Sequence, residues 1–214
     1  MDILIGTKNQ YKATEIVFLL ENQPGIKIHL WDELGLEIKV EENQPTLRKN
    51  AEKKAIEISK LTGWYVLASD GGVNIPGLGK KWDILRSQRI VGEDKTDVEK
   101  AEKLLNLMKS LRGEKRKASY RLALALAKKS KLVWSTEQIT DKGFIAEELF
   151  NREIPPYRWM GHLWYYPQFE KVFNQLNEKE KNEVRKQGAG IKRSLRKKLL
   201  IPCLPENRPL FHKK

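Results

Sequence analysis

The sequence predicts an α/β fold, a mixed twisted sheet with helices on both sides, and three observations carry that expectation. Short apolar, strand-like runs alternate with helical ones along the chain. At 214 residues, 40% of them hydrophobic, the chain can bury one sizeable core and reads as a single domain over 1–214. It contains no internal repeat, long linker or low-complexity tract that would break that domain.

Residues 2–6 read as a buried strand and 10–21 as a helix turning Ile16, Phe18, Leu19 and Leu20 toward a core. "QPG" ends that helix, 26–30 alternate like a strand, and "LEIKVEEN" predicts another short strand closing on two carboxylates. Thr46 is placed to cap a helix that runs to Leu61 and stops at Thr62-Gly63. "WYVLASDGGV" is a strand leading into Asp70 and a Gly-Gly turn, and the segment after it, to Asp97, reads mostly as loop. Asp94 or Thr96 caps a helix to Met108. "KASYRLALALAKKSKLVWSTEQITDKGF" predicts two long strands joined by a Lys-Ser-Lys turn, with Ala and Leu leaving a helix open for the first. Residues 150–170 form an aromatic loop or pocket wall. The last helix starts at Asn177, with Glu180 at capping-box spacing, and reaches about Leu200 with Gly188 and Gly190 as weak points.

Charge is the strongest global bias: 41 Lys and Arg against 28 Asp and Glu give +13. The excess gathers in "RKQGAGIKRSLRKKLL" and the "FHKK" tail, which fits either a nucleic-acid footprint or a solvated helix face. Cys203 is the only cysteine, which excludes an intrachain disulfide or a multi-thiolate zinc site and suits a reducing cytoplasm. His29, His162 and His212 lie far apart, against a histidine-rich metal site. With no apolar run near the roughly 20 residues of a membrane span and no signal-peptide layout at "MDILIGTKNQ", the expectation is a soluble, cytoplasmic protein without a membrane partner.

Three residue sets carry chemistry. Thr7, Asn9 and Lys12 sit where a strand passes into a helix, a corner that offers backbone N–H groups, the positive end of a helix dipole and a full charge to a phosphate. Glu41 and Glu42 end a predicted strand ahead of Lys54, and Asp70 ends another. Together they make a phosphate-and-magnesium kit, since Mg²⁺ binds through one or two carboxylates plus substrate phosphates while lysines take the remaining charge. Each residue also has a plain structural role open to it: helix caps for Thr7 and Asn9, exposed helix lysines for Lys12 and Lys54, a solvated turn for Glu41-Glu42, and a turn residue for Asp70.

Their order along the chain resembles the inosine/xanthosine triphosphate pyrophosphatases, Mg²⁺-dependent enzymes that cut aberrant purine nucleoside triphosphates to the monophosphate and pyrophosphate. The pattern T-x-N-x-x-K-x-x-E is matched by Thr7, Asn9, Lys12 and Glu15, and E-E followed by T-F-x-E-N-A-x-x-K-A by Glu41-Glu42 and "TLRKNAEKKA". A-D-D-S-G-L corresponds to "ASDGGV", S-A-R to "SQR" at 87–89, G-E-D-A-T-D to "GEDKTD", and the late E-E-K-N to "EKEKN". The resemblance implies that Lys12 and Asn9 hold the triphosphate with Thr7, that Lys54 assists, that Glu42 binds Mg²⁺ with Asp70, and that Asp70 orients or deprotonates the attacking water. It also implies a homodimer and an elongated molecule with two lobes around a central nucleotide cleft.

The chain departs from the pattern where Ser69 replaces one of two aspartates, which predicts weaker metal binding, and where Lys49 replaces an acid. G-F-G-Y-D-P becomes "HLWYYP", with Leu163 for the stacking Phe and Tyr166 for the Asp, and S-H-R becomes Arg185-Lys186-Gln187. Altered base selectivity follows. Arg89, Lys186, Trp164 and Tyr165 are the further substrate-binding candidates, with Trp164, Tyr165 and Tyr166 forming either a base platform or a packed wall or dimer contact. His162 reads as a loop residue. The expected function is Mg²⁺-dependent nucleoside triphosphate pyrophosphohydrolysis. The alternative is a weakened homologue that binds nucleotides, or nucleic acid through "KRSLRKK".

Overall fold

A computed structural model describes residues 1–21, 23–35, 38–154 and 158–200. Cys203, His212 and the "FHKK" tail lie outside the described residues, as do the first two residues of "LEIKVEEN" and residues 155–157 of the aromatic stretch. In chain order the elements are β1 (Asp2–Ile5), α1 (Gln10–Leu20), β2 (Lys27–His29), α2 (Leu47–Thr62), β3 (Tyr65–Asn74), α3 (Ser87–Val91), α4 (Asp97–Leu107), β4 (Lys117–Lys128), β5 (Lys131–Ile145), β6 (Trp164–Tyr166), β7 (Lys171–Val172), α5 (Glu178–Arg185) and α6 (Ala189–Leu200).

The strands form one mixed sheet in the order β2-β1-β3-β4-β5-β6-β7, confirming the α/β expectation. β1 pairs in parallel with β2 and β3, and the remaining pairs are antiparallel. The chain leaves β1 toward β2 on one side and returns to β3 on the other, so the carboxyl end of β1 is a switch point, the place where open α/β sheets bind ligands.

The sequence of β4 explains how the two faces are covered. Leu122, Leu124 and Leu126 turn to one face, where they pack with Ile16 and Leu20 of α1 and Ile191, Leu195 and Leu199 of α6. Ala123, Ala125 and Ala127 turn to the other and meet Leu47, Ala51 and Ala55 of α2. That two-residue period settles β4 as a strand despite its Ala and Leu content. A third core gathers Val73, Ala118, Ile145, Trp164 and Tyr166 around Ala101 and Leu104 of α4. Tyr120 packs against both this core and the α1/α6 core, marking the seam between two lobes.

Several expectations are corrected. Residues 38–43 run as irregular chain rather than strand; Ile38 and Val40 alternate because they lie over the core of Leu4, Trp31, Ile58 and Val66. Gly71 and Gly72 make no turn, because β3 continues through them to Asn74. A Cβ at Gly71 would stand 2.4 Å from the Tyr120 hydroxyl and one at Gly72 2.6 Å from the Ile84 carbonyl oxygen, so close approach is what these glycines serve. The segment 75–97 holds α3 and two 3₁₀ turns rather than plain loop. Part of the aromatic stretch pairs as β6. The last helix divides into α5, a 3₁₀ turn over Lys186–Gly188 and α6, with the break at Gly188 while Gly190 lies within α6. Phe18 is exposed, carrying Lys192 Nζ at 4.0 Å and Arg185 at 5.4 Å over its ring instead of facing the core.

The β4–β5 hairpin turns on Lys129 and Ser130, both in left-handed conformation at φ 47° and 67°. Non-glycine residues carry strain there. Ser130→Gly is therefore expected to stabilise the protein by about 0.5–1 kcal/mol, net of the added freedom of the unfolded chain, measured as a raised urea midpoint at unchanged slope.

Candidate active site

The alanine stripe on β4 and β3 lets α2 lie close to the sheet, close enough for its polar residues to reach strand β3. Asn50, 3% exposed, donates from Nδ2 to Asp70 Oδ2 at 3.0 Å, and its Oδ1 accepts the Gln44 backbone N–H at 2.8 Å. Lys54, one turn on, is also buried; its ammonium donates to the Ser69 carbonyl at 2.9 Å and pairs with Glu42. One helix face thus ties the irregular segment carrying Glu42 to the strand carrying Asp70. Asp70 Oδ1 accepts the Gly71 backbone N–H at 2.8 Å.

The two carboxylates are held in different states. Burial works against ionising Glu42, but Lys54, with Lys12 and Arg89 beyond it, outweighs burial and holds its carboxyl below the usual range. Burial and then the Glu42 charge push Asp70 up, only partly offset by Lys12, Lys54 and the Asn50 bond. A pair of acids driven apart in this way supplies one fixed anion and one group basic enough to take a proton.

Across from them the loop after β1 enters α1. Asn9 caps the helix, its Oδ1 accepting the Lys12 backbone N–H at 3.1 Å, and the Thr7 hydroxyl accepts the Asn9 backbone N–H at 3.2 Å. The capping roles of Thr7 and Asn9 are therefore real, and they leave the helix N-terminus pointing into the same space. Lys12 makes no ion pair within 4 Å among the described residues, yet its charge acts on Asp70, Glu42 and Glu15. Arg89, on α3, is exposed, bonds Glu93 at 3.3 Å and reaches Glu42 electrostatically.

The remaining candidates are not brought together. Trp164 is buried in the α4 core, whereas Tyr165 lies on the opposite face of β6, lining a separate cavity with Phe144, Phe150 and Gln175. Strand alternation thus denies the two a common stacking surface. Lys186 is exposed on the 3₁₀ turn after α5. His162 is buried in a 3₁₀ turn and stacks on Phe150 at 6.3 Å. Part of the basic C-terminal run is used internally, with Arg196 donating to the Glu21 carbonyl at 2.7 Å and Lys192 covering Phe18.

Sequence reasoning overlooked Asn50 and Asp141. Asn50 stands inside the first turn of α2, past the cap position that suits asparagine, and its place in "TLRKNAEKKA" was the signal. Asp141, in β5, accepts the Tyr166 hydroxyl at 2.6 Å, and burial raises its carboxyl to about 6. Glu15 is raised to about 7 by burial and by Asp141, against Lys12 and Arg185.

Glu42 and Asp70 suit a hard cation. Among the described residues no group of three or more His, Cys, Asp or Glu is placed to cage a metal ion by itself, and two neighbouring carboxylates completed by phosphate oxygens is how magnesium is usually held. No helix is long and apolar enough to cross a membrane among the described residues.

The model of the Ham1 family matches residues 3–196. The chain is 30% identical to the dITP/XTP pyrophosphatase of Bacillus subtilis over 197 residues, 90% of this chain and 94% of the relative, and 28% identical to that of Desulforamulus reducens over 91% and 94%. A HAM1 protein from Coxiella burnetii superposes with a TM-score of 0.75 at 25% identity, covering 94% of this chain and 99% of the other. The Staphylococcus aureus Ham1 protein gives 0.72 at 23%, covering 94% and 100%, a likeness of fold.

Because the folded pKa of Asp70 is raised, the folded state holds that proton more tightly than the unfolded chain; the group's stabilising contribution is full below about pH 4 and is lost as pH rises through the folded value. Asp70→Asn abolishes this loss. Its melting temperature relative to the unsubstituted protein is expected to climb as pH rises above about 4, as measured by calorimetry; a falling difference contradicts the assigned direction.

Proposed function

This chain belongs to the Ham1 family, and on that premise we propose that it hydrolyses non-standard purine nucleoside triphosphates, such as dITP, XTP and ITP, to the monophosphate and pyrophosphate with Mg²⁺. The observation that carries the reading is the convergence of Lys12, Glu42, Lys54 and Asp70, from four segments, at the carboxyl end of β1.

In this reading the α1 N-terminus and Lys12 receive the phosphates, with Thr7 and Asn9 shaping the loop. Lys54 shifts negative charge off the same region, and Arg89 adds a second cation from α3. Glu42 and Asp70 would hold Mg²⁺ against the phosphate oxygens. When bound, the ion neutralises the polyphosphate and polarises the phosphoryl oxygen. Asp70, more basic than an ordinary carboxylate and fixed by Asn50, orients water and takes its proton for attack at the α-phosphorus. Catalysis is then mainly placement and electrostatics, with pyrophosphate as the leaving group. Strand alternation puts the Ser69 side chain on the face away from Asn50 and Asp70, so the residue exchanged there is not the one beside Glu42.

Pyrophosphate release from ITP, XTP, dITP and the four common triphosphates with Mg²⁺ tests the assignment. Hydrolysis of the inosine and xanthosine nucleotides is expected, with Glu42→Gln and Lys12→Ala each lowering kcat/KM by about 100-fold or more. Absence of pyrophosphate from all seven refutes it.

A further inference from the structure

Lys12 stands between two pairs of acids. It acts on Glu42 and Asp70 and, one helical turn along α1, on Glu15, which the Asp141 carboxylate of β5 influences in turn. If the triphosphate occupies the first pair, as proposed above and on which this inference rests, only the sugar and base of a nucleotide remain to approach the second.

Asp141 reaches this place through a β-bulge. Tyr120 of β4 opposes Asp141 while Arg121 opposes Ile139, so Thr140 is the extra residue and Asp141 is turned onto the face that Tyr120 shares. There Asp141 Oδ2 accepts the Tyr166 hydroxyl, and its Oδ1 is buried without a hydrogen bond of good geometry. The indole N–H of Trp164 inclines toward this carboxylate but is likewise unbonded. Glu15 has neither a hydrogen bond nor an ion pair within 4 Å among the described residues. Two cations face it. Lys12 is committed to the phosphates, and Arg185 is engaged with Asn182 at 3.0 Å, Glu178 at 3.6 Å and the Phe18 ring. The groups facing Asp141 are Glu15, the Tyr166 hydroxyl, the Trp164 N–H and the Lys142 backbone N–H.

We propose that Asp141 and Glu15 form an acidic base-end floor that selects an electrically neutral 6-oxopurine over an anionic one, so that this chain favours inosine over xanthosine triphosphates. Hypoxanthine keeps its ring protons across the neutral range, whereas xanthine gives one up near neutral pH and becomes an anion. A buried negative floor repels that anion through a low-dielectric interior without touching it. Asp141 acts as a positioning and charge-setting residue rather than a contact, because its free oxygen is sealed from solvent.

The test compares ITP with XTP between about pH 5.5 and pH 8.5, the range in which both acids and xanthine titrate. Two readouts are taken: kcat/KM from pyrophosphate release with Mg²⁺, and affinity without divalent ion from tryptophan fluorescence. The ITP:XTP ratio is expected to grow with pH by about tenfold or more, the effect of one unit charge roughly 10 Å away in a protein-like dielectric. Asp141→Asn keeps an acceptor for Tyr166 and is expected to flatten that growth several-fold while leaving the ratio at the acid end unchanged. Glu15→Gln, on α1 and independent of the Asp141–Tyr166 bond, should do the same. Cleavage of both nucleotides with a ratio that is flat in the unsubstituted protein, or equally steep in both variants, overturns this inference alone. Failure to bind or cleave either nucleotide overturns the proposed function and this inference with it.

Discussion

The site depends on how closely α2 approaches the sheet. An ammonium and a carboxamide can be buried only if every polar atom finds a partner, and Lys54 and Asn50 find theirs on β3 because Ala51 and Ala55 meet Ala123, Ala125 and Ala127 across a thin interface. A bulkier stripe would lift the helix and strand both polar groups. The small residues of β4 are thus part of the site without touching a ligand. They also account for the direction of coupling: Lys54 holds Glu42 with the same ammonium that grips the Ser69 carbonyl, so the otherwise irregular segment 38–46 is fixed to the strand beside it.

The second organising feature is the switch point at β1. The helix that follows β1 lies on one face and α2 on the other, so side chains from opposite layers meet where the short parallel strands end and β3 runs on. Gly6 donates to the Leu67 carbonyl at 2.9 Å, the last tie between those strands. Beyond it, Lys12 in the first turn of α1 acts on Asp70 and Glu42. Positive potential from Lys12 and the helix dipole therefore fills a gap bounded by buried acids, a field that favours a polyanion more than any single contact does.

Much of this was legible in the sequence. Thr46, Thr96 and Asn177 cap their helices as their spacing indicates, and Gly63 ends α2 in the left-handed conformation. Lys12, Glu42, Lys54 and Asp70, far apart in sequence, lie within electrostatic reach of one another. What misled was context. Gly71-Gly72 looks like a turn because glycine pairs usually are one; only the approach of Tyr120 and Ile84, distant in sequence, shows otherwise. Ile38 and Val40 alternate as a strand would, and packing over a core without pairing leaves the same trace. The aromatic run 164–166 left a platform or a packed wall open, and β pairing, set by β5, packs Trp164 and Tyr166 in the core and turns Tyr165 to the other face.

The acids show why residue-by-residue matching to a family pattern places groups more directly at the proposed phosphate end than at the proposed base end. At the phosphate end each group is fixed by local elements, a cap, a helix turn or a strand position, so identity and place travel together. At the base end Tyr166 stands where the pattern has an aspartate, yet a carboxylate still lies within reach: Asp141, on the neighbouring strand, accepts that tyrosine's hydroxyl at 2.6 Å. A bulge at Thr140 turns this acid onto the face that Tyr120 shares. An acid placed there supplies charge without lining the surface, because a buried Oδ1 offers field where an exposed one would offer a hydrogen bond. The selectivity proposed for this chain would then rest on electrostatic potential rather than on matched donors and acceptors, and would vary with pH because burial raises both carboxyls toward neutrality.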